Sequence, residues 1–259
     1  MKIILSPAKK MIVDTDNLVL VELPVYIDKT AEVLNWMKSK SKEELKAIWK
    51  CNDKIAEQNF NRLENMDLYN RLTTAVLAYE GIAFQYMAPS VFEIQQFEYL
   101  QNHLRILSAF YGILKPMDGV TPYRLEMQAK VGIGDAKNLY EYWGELLYRS
   151  VIDDSRIIIN LASKEYSKCI EKYLTISPRA ILAYVPFVTI LSPDISQNVI
   201  VIYLSFDIRY FSIHFEYSFD AKLMIILLSS ITERYNKSSQ NSYRFFASPM
   251  SAFACISRR

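Results

Sequence analysis

Two short isoleucine-rich runs, KIIL at 2–5 and RIIINL at 156–161, constrain this chain of 259 residues more than any other feature. Consecutive β-branched residues without polar alternation mark strands buried on both faces, the kind found in helix-covered sheets. Between the two runs the patterning is helical. Residues 29–50 carry helical spacing, and Ser41 with Glu44 forms a capping box before Leu45, so a second helix starts there. Helical spacing continues through Ile55, Phe60 and Leu63. Leu68 to Tyr79 predicts a helix with Gly81 at its C′ position. Phe97 to Leu114 predicts a buried helix, 138–149 a helix capped by Asn138, and Ser163 to Tyr173 another. The runs 181–191, 198–206 and 208–217 read as strands. This order predicts one mixed α/β domain over 1–259, with a central mixed sheet and surrounding helices.

Composition narrows the class. Hydrophobic residues make up 51% and aromatics 13%, enough for a sizeable core. The net charge of +2 excludes a uniformly cationic nucleic-acid coat, though not a local basic patch. Cys51, Cys169 and Cys255 show no CxxC spacing, and His103 and His214 are the only histidines. No disulfide framework, metal site or cofactor is expected, and a reducing cytoplasm fits best. No apolar run approaches 18 residues, so no membrane span is expected.

The glycines divide the chain. All six lie between Gly81 and Gly144, and the last 115 residues hold none, where about eight would be expected at a usage of roughly 7%. Residues 177–259 carry 14 serines instead. The first 174 residues have 22 basic and 23 acidic side chains, and the remainder 8 and 5.

Three polar constellations are candidate sites. The first joins the ends of the two strand runs. Ser6 and Lys9 follow one, and Asn160, Ser163, Glu165 and Tyr166 follow the other, where α/β sheets gather ligands. Lys9 would pair with an anionic group, Asn160 and Ser163 would position it and Glu165 would serve as base; if Arg124 converges on the same pocket it would hold a phosphate, with Glu165 as acid or base. The alternative is that Ser6-Pro7 stops a strand, Lys9 is solvated and Ser163 only caps a helix. The second is the turn Lys115 to Met127, with Lys115, Asp118, Tyr123, Arg124 and Glu126, suited to a phosphate or carboxylate. Equally, an ion pair of Arg124 with Glu126 or Asp118 would merely fix the loop. The third is Gly132-Ile133-Gly134 with Lys137, the core of a helix-hairpin-helix element whose amides approach a phosphate. An ordinary loop reads the same way.

With these residues in view, the chain resembles the YaaA peroxide-stress protein family. The matching segments are ILSPAK (4–9), HLRILSAFYGILKPMDGVTPYRLEM (103–127), NLYEYWGELL (138–147) and INLASKEYSK (159–168). They anchor residues 1 to about 174. The resemblance implies a mixed α/β fold with a helix-hairpin-helix element and a positively charged cleft. It implies a role in the hydrogen peroxide response, limiting iron-dependent oxidative DNA damage, and double-stranded DNA as partner. It also implies cleft positions at Ser6, Lys9, Tyr111, Lys115, Asp118, Tyr123, Arg124, Glu126, Asn160, Ser163, Glu165 and Tyr166. A monomer is expected, and a small-molecule substrate, a nucleotide or nucleobase, is the alternative to DNA. Ala109 stands where the family usually has glycine, and the family's basic Arg-Gly segment has no counterpart here. Residues 175–259 therefore read as a divergent or out-of-frame replacement of the family's C-terminal part.

Overall fold

The computed structural model describes residues 1–14 and 22–174, and the backbone of 181–184. In chain order the elements begin with β1 (Lys2–Leu5), α1 (Ile27–Lys38), α2 (Lys42–Trp49) and α3 (Asp53–Glu64). Then come β2 (Thr73–Thr74), α4 (Ala75–Ala78), α5 (Ile82–Met87) and α6 (Ile94–His103). The next are β3 (Leu104–Ser108), β4 (Gly112–Leu114), β5 (Gly119–Val120), α7 (Leu139–Trp143) and α8 (Leu146–Val151). Last are β6 (Ile157–Asn160), α9 (Lys164–Glu171) and β7 (Ile181–Tyr184).

Five strands form one mixed sheet in the order β4-β3-β1-β6-β7. β1 runs parallel to β3 and to β6, with Ile3 opposite both Leu104 and Ile159. β7 extends the sheet parallel to β6, and β4 closes the other side as an antiparallel hairpin with β3. Ile3 and Ile4 are completely buried in the central strand. Burying each such side chain contributes about 1.5–3 kcal/mol, which explains why so short a run forms a stable strand. β2 and β5 make a separate two-stranded ribbon.

The helix starts follow side-chain chemistry. Ser41 Oγ accepts from the Glu44 amide, and the Glu44 carboxylate accepts from the Ser41 amide at 2.8 Å. Asn52 and Asn138 cap α3 and α7 by accepting from the Ile55 and Glu141 amides. Gly144, at φ +51, divides the expected helix over 138–149 into α7 and α8.

Three sequence expectations are corrected. The stretch from Phe97 to Leu114 is not one helix but α6 followed by the β3–β4 hairpin. Leu104, Leu107 and Phe110 have helical spacing, yet every residue from 104 to 114 except Arg105 is buried. Burial on both faces removes the period that separates strand from helix. Gly112 turns this hairpin at φ +76 beneath Trp143, whose ring lies 2.7 Å from where a Cβ would sit. The predicted helix from Leu68 to Tyr79 is reduced to the single turn α4. Arg71 at φ +52 breaks it, and Thr73 and Thr74 pair with β5 instead. Gly81 is not a C′ residue: it has extended backbone and forms the N-cap of α5.

Residues 132–137 form an exposed tight turn closed by reciprocal Ile133–Ala136 backbone bonds of 3.1 Å. α7 follows this turn, but residues 121–131 before it form no helix, so the leading helix of a helix-hairpin-helix is not seen. The expected strands at 198–206 and 208–217 lie outside the described residues.

Candidate functional site

β1 and β6 are adjacent and parallel, but their chains leave in opposite directions. After β1 the chain crosses to β3 on one side; after β6 it crosses to β7 on the other. The carboxyl ends of such a strand pair leave a crevice between the diverging connections, the switch point where open α/β sheets bind ligands. A cleft of about 1150 Å³ opens there.

Its floor is built by the two strand ends. The Leu161 amide donates to the Ile4 carbonyl at 2.9 Å, continuing the β1–β6 ladder past its last pair. The Ser163 amide donates to Ser6 Oγ at 2.8 Å, and the Ser6 hydroxyl donates to Ser163 Oγ at 3.1 Å. Asn160 Oδ1 accepts from the Ala162 amide at 2.9 Å, which leaves the Asn160 Nδ2 hydrogens for another acceptor. Ser163 thus does more than begin α9: it locks the β1 loop to the β6 loop.

One wall is the segment Tyr123 to Glu126. The Arg124 side chain is 14% exposed, its Nε has no partner, and its nearest carboxylate oxygen, Glu126 Oε1, lies 3.9 Å from Nη2. That same oxygen is 2.8 Å from Lys9 Nζ. Tyr123 presents its ring while its hydroxyl is held behind the wall, 2.9 Å from Tyr79 Oη and 2.7 Å from Ser108 Oγ. Burial pushes the Tyr123 hydroxyl up to about 12, so it stays protonated. Ser108 Oγ already accepts the Phe110 and Tyr111 amides, so its own proton is directed to Tyr123.

Residues of α9 and of 80–84 also line the cleft. Glu165 Oε1 accepts from the Gln128 amide at 3.1 Å, and the Glu165 carbonyl accepts from Tyr140 Oη at 3.0 Å. The Tyr166 hydroxyl is raised, first by burial and then by Tyr123, Glu165 and Glu126 around it. Gly81 is packed so closely on the β1 loop that an added Cβ would sit 2.7 Å from Ala8 Cβ. Lys10 pairs with Glu80 at 2.6 Å.

The cleft therefore brings together Ser6, Lys9, Tyr123, Arg124, Glu126, Asn160, Ser163, Glu165 and Tyr166. Other sequence candidates lie elsewhere. Tyr111 is fully buried, with its hydroxyl accepting from the Thr121 amide at 2.9 Å. Lys115 pairs with Glu22. Asp118 is buried and accepts from the Lys115 amide at 2.8 Å. Gly132, Gly134 and Lys137 lie on the exposed turn outside the cleft lining. Sequence reasoning missed Lys10, Glu80, Phe84 and Glu171. The one available signal was Gly81, whose neighbours pair with the β1 loop: the Glu80 amide donates to the Lys10 carbonyl at 2.9 Å.

A family model described as peroxide stress protein YaaA matches residues 1–189. The chain belongs to the peroxide stress protein YaaA family. A UPF0246 protein of Agathobacter rectalis is 93% identical over 175 residues, covering 68% of this chain and 70% of the relative. UPF0246 proteins of Lachnoclostridium phytofermentans and Ligilactobacillus salivarius are 57% and 54% identical over 175 and 174 residues. These alignments cover 68% and 67% of this chain, and 69% and 70% of the relatives. Every cleft residue named above falls within the family match. The glycine-free remainder mostly lies beyond it. Among the described residues no helix is long and apolar enough to cross a membrane.

Proposed function

We propose that this family member binds a nucleotide or nucleobase in the β1–β6 cleft, with Arg124 holding an anionic group. One observation carries the reading: Arg124 is a mostly buried guanidinium on the cleft wall whose Nε has no hydrogen-bond partner among the described residues. A buried guanidinium N–H without an acceptor is costly, and a phosphate can accept two parallel N–H bonds from the planar arginine fork. Lys9 at the mouth and Asn160 on the floor would complete the anion site, and Glu165 would be the acid or base. Four basic side chains (Lys9, Lys10, Arg124, Lys164) and four acidic ones (Glu80, Glu126, Glu165, Glu171) line the cleft. That balance suits a small polar ligand better than the uniformly negative surface of a duplex.

Double-stranded DNA is the second reading. Lys9 and Lys10 expose 68% and 71% of their side chains at the mouth. The Gly132–Lys137 turn is exposed, with open space around Gly134. In this reading the exposed lysines and turn amides contact phosphates. On either reading, a cytoplasmic role in the peroxide response, acting indirectly on iron-dependent DNA damage, remains our proposal from the family. The segment after about 175 is proposed to replace the family's own C-terminal part; resequencing the coding region that returns an intact frame contradicts an out-of-frame origin.

Fluorescence anisotropy separates the two readings. A labelled adenine mononucleotide and a labelled duplex are titrated with the full chain across a salt series. The cleft reading predicts saturable nucleotide binding and weak duplex binding. Tight duplex binding that falls steeply with salt, with no nucleotide binding, reverses the order.

A further inference from the structure

Two side chains of opposite charge line the same cleft, and neither neutralises the other. Arg124 Nε has no hydrogen-bond partner among the described residues, and Glu126 Oε1 is 3.9 Å from Nη2. Glu165 has no ion-pair partner among the described residues. Its Oε1 accepts only the Gln128 amide at 3.1 Å. The other carboxylates are engaged: Glu126 with Lys9 at 2.8 Å, Glu80 with Lys10 at 2.6 Å, and Glu171 with the Ser167 hydroxyl. Arg124 and Glu165 thus each keep hydrogen-bonding capacity for a ligand, beside the Asn160 Nδ2 hydrogens.

Glu165 is held in place. The Gln128 amide fixes one carboxylate oxygen, and the Tyr140 hydroxyl fixes the residue's own carbonyl at 3.0 Å. A fixed carboxylate can only accept hydrogen bonds, so it favours a ligand N–H₂ and repels a ligand carbonyl oxygen. A ligand that displaces water from this carboxylate without offering a donor leaves it unpaired, so analogues lacking the donor bind less tightly. Phe84 and the Tyr123 ring give the cleft apolar walls between its polar ends.

We infer that the ligand presents an anion to Arg124 and an amine to Glu165: a nucleotide whose base carries an exocyclic amine, as adenine, cytosine and guanine do, rather than hypoxanthine or uracil. This selectivity rests on the nucleotide reading above.

The test is calorimetric titration of the full chain with AMP, IMP, CMP and UMP, on the wild type and on Glu165→Gln. Glutamine retains an oxygen for the Gln128 amide and adds an amide N–H₂ that a carbonyl base accepts. The wild type is expected to bind AMP and CMP at least tenfold more tightly than IMP and UMP. Glu165→Gln is expected to lose or invert that preference at unchanged melting temperature. Equal wild-type affinity for all four overturns the amine selectivity and leaves the nucleotide reading standing. Binding of none overturns both. A preference for AMP and CMP that survives in Glu165→Gln overturns the assignment to Glu165.

Discussion

The Ser163 amide donates to Ser6 Oγ at 2.8 Å, joining two strand ends that are 157 positions apart in sequence. The bond sets the floor of the cleft, because the β1 loop and the start of α9 are tied at this one hydroxyl. Ser6→Ala removes both bonds to Ser163. The expected loss is about 1 kcal/mol, or a melting temperature lower by roughly 2–4 °C, read by circular dichroism. Nucleotide affinity is expected to fall with it, since the β1 loop that carries Lys9 loses its tie to the start of α9. Unchanged stability and affinity contradict that role.

Gly81 is required for space rather than for backbone freedom. Its φ of −136° suits any residue, but a Cβ would lie 2.7 Å from Ala8 Cβ. Gly81→Ala must push residues 80–84 away from the β1 loop. A destabilisation of about 1–3 kcal/mol is expected. Gly81→Ala combined with Ala8→Gly is expected to recover most of it, because the second change removes the clashing methyl. Denaturant unfolding of the single and double variants measures this coupling.

Asp118 gives the protein a pH signature distinct from the cleft. Its carboxyl is raised from the ordinary 3.8 to about 7, mainly by burial, with the Lys115 amide opposing and Glu22 adding to the rise. Lys115 and Arg105 are the cations facing it. A carboxyl whose folded value exceeds its unfolded one favours the folded chain while it stays protonated. Stability is therefore expected to fall from about pH 4, where the unfolded carboxyl ionises, to about pH 7, where the folded one does. The slope is up to about 1.4 kcal/mol per pH unit, and this group adds no change outside that window. Asp118→Asn is expected to flatten the slope. Denaturant midpoints taken across pH 4–8 check it, and parallel curves for the two proteins contradict it.

Much of this site was legible in the sequence because its floor comes from strand ends. KIIL and RIIINL announce two buried strands, and the polar residues just past each must meet if the strands pair in parallel. The Ser41–Glu44 capping box and the Asn138 cap were legible for the same reason: their chemistry is local. The walls were harder. Residues 104–114 are buried except Arg105, so no period distinguished hairpin from helix, and the position of Tyr123 behind it could not be read. Glu80 and Lys10 meet through backbone pairing between distant segments, which leaves no spacing signal. Lys115 and Asp118 share a motif with Arg124, yet the turn at Pro116 sends them to Glu22 and away from the cleft.

The central claim is that Arg124 anchors an anion in the β1–β6 cleft. The most direct measurement is isothermal titration calorimetry of AMP into the wild type and Arg124→Ala, with melting temperatures recorded alongside. The account predicts saturable one-to-one binding by the wild type and at least a tenfold loss in Arg124→Ala, with the fold intact. Equal affinity in the two proteins, or no binding by a folded wild type, contradicts it.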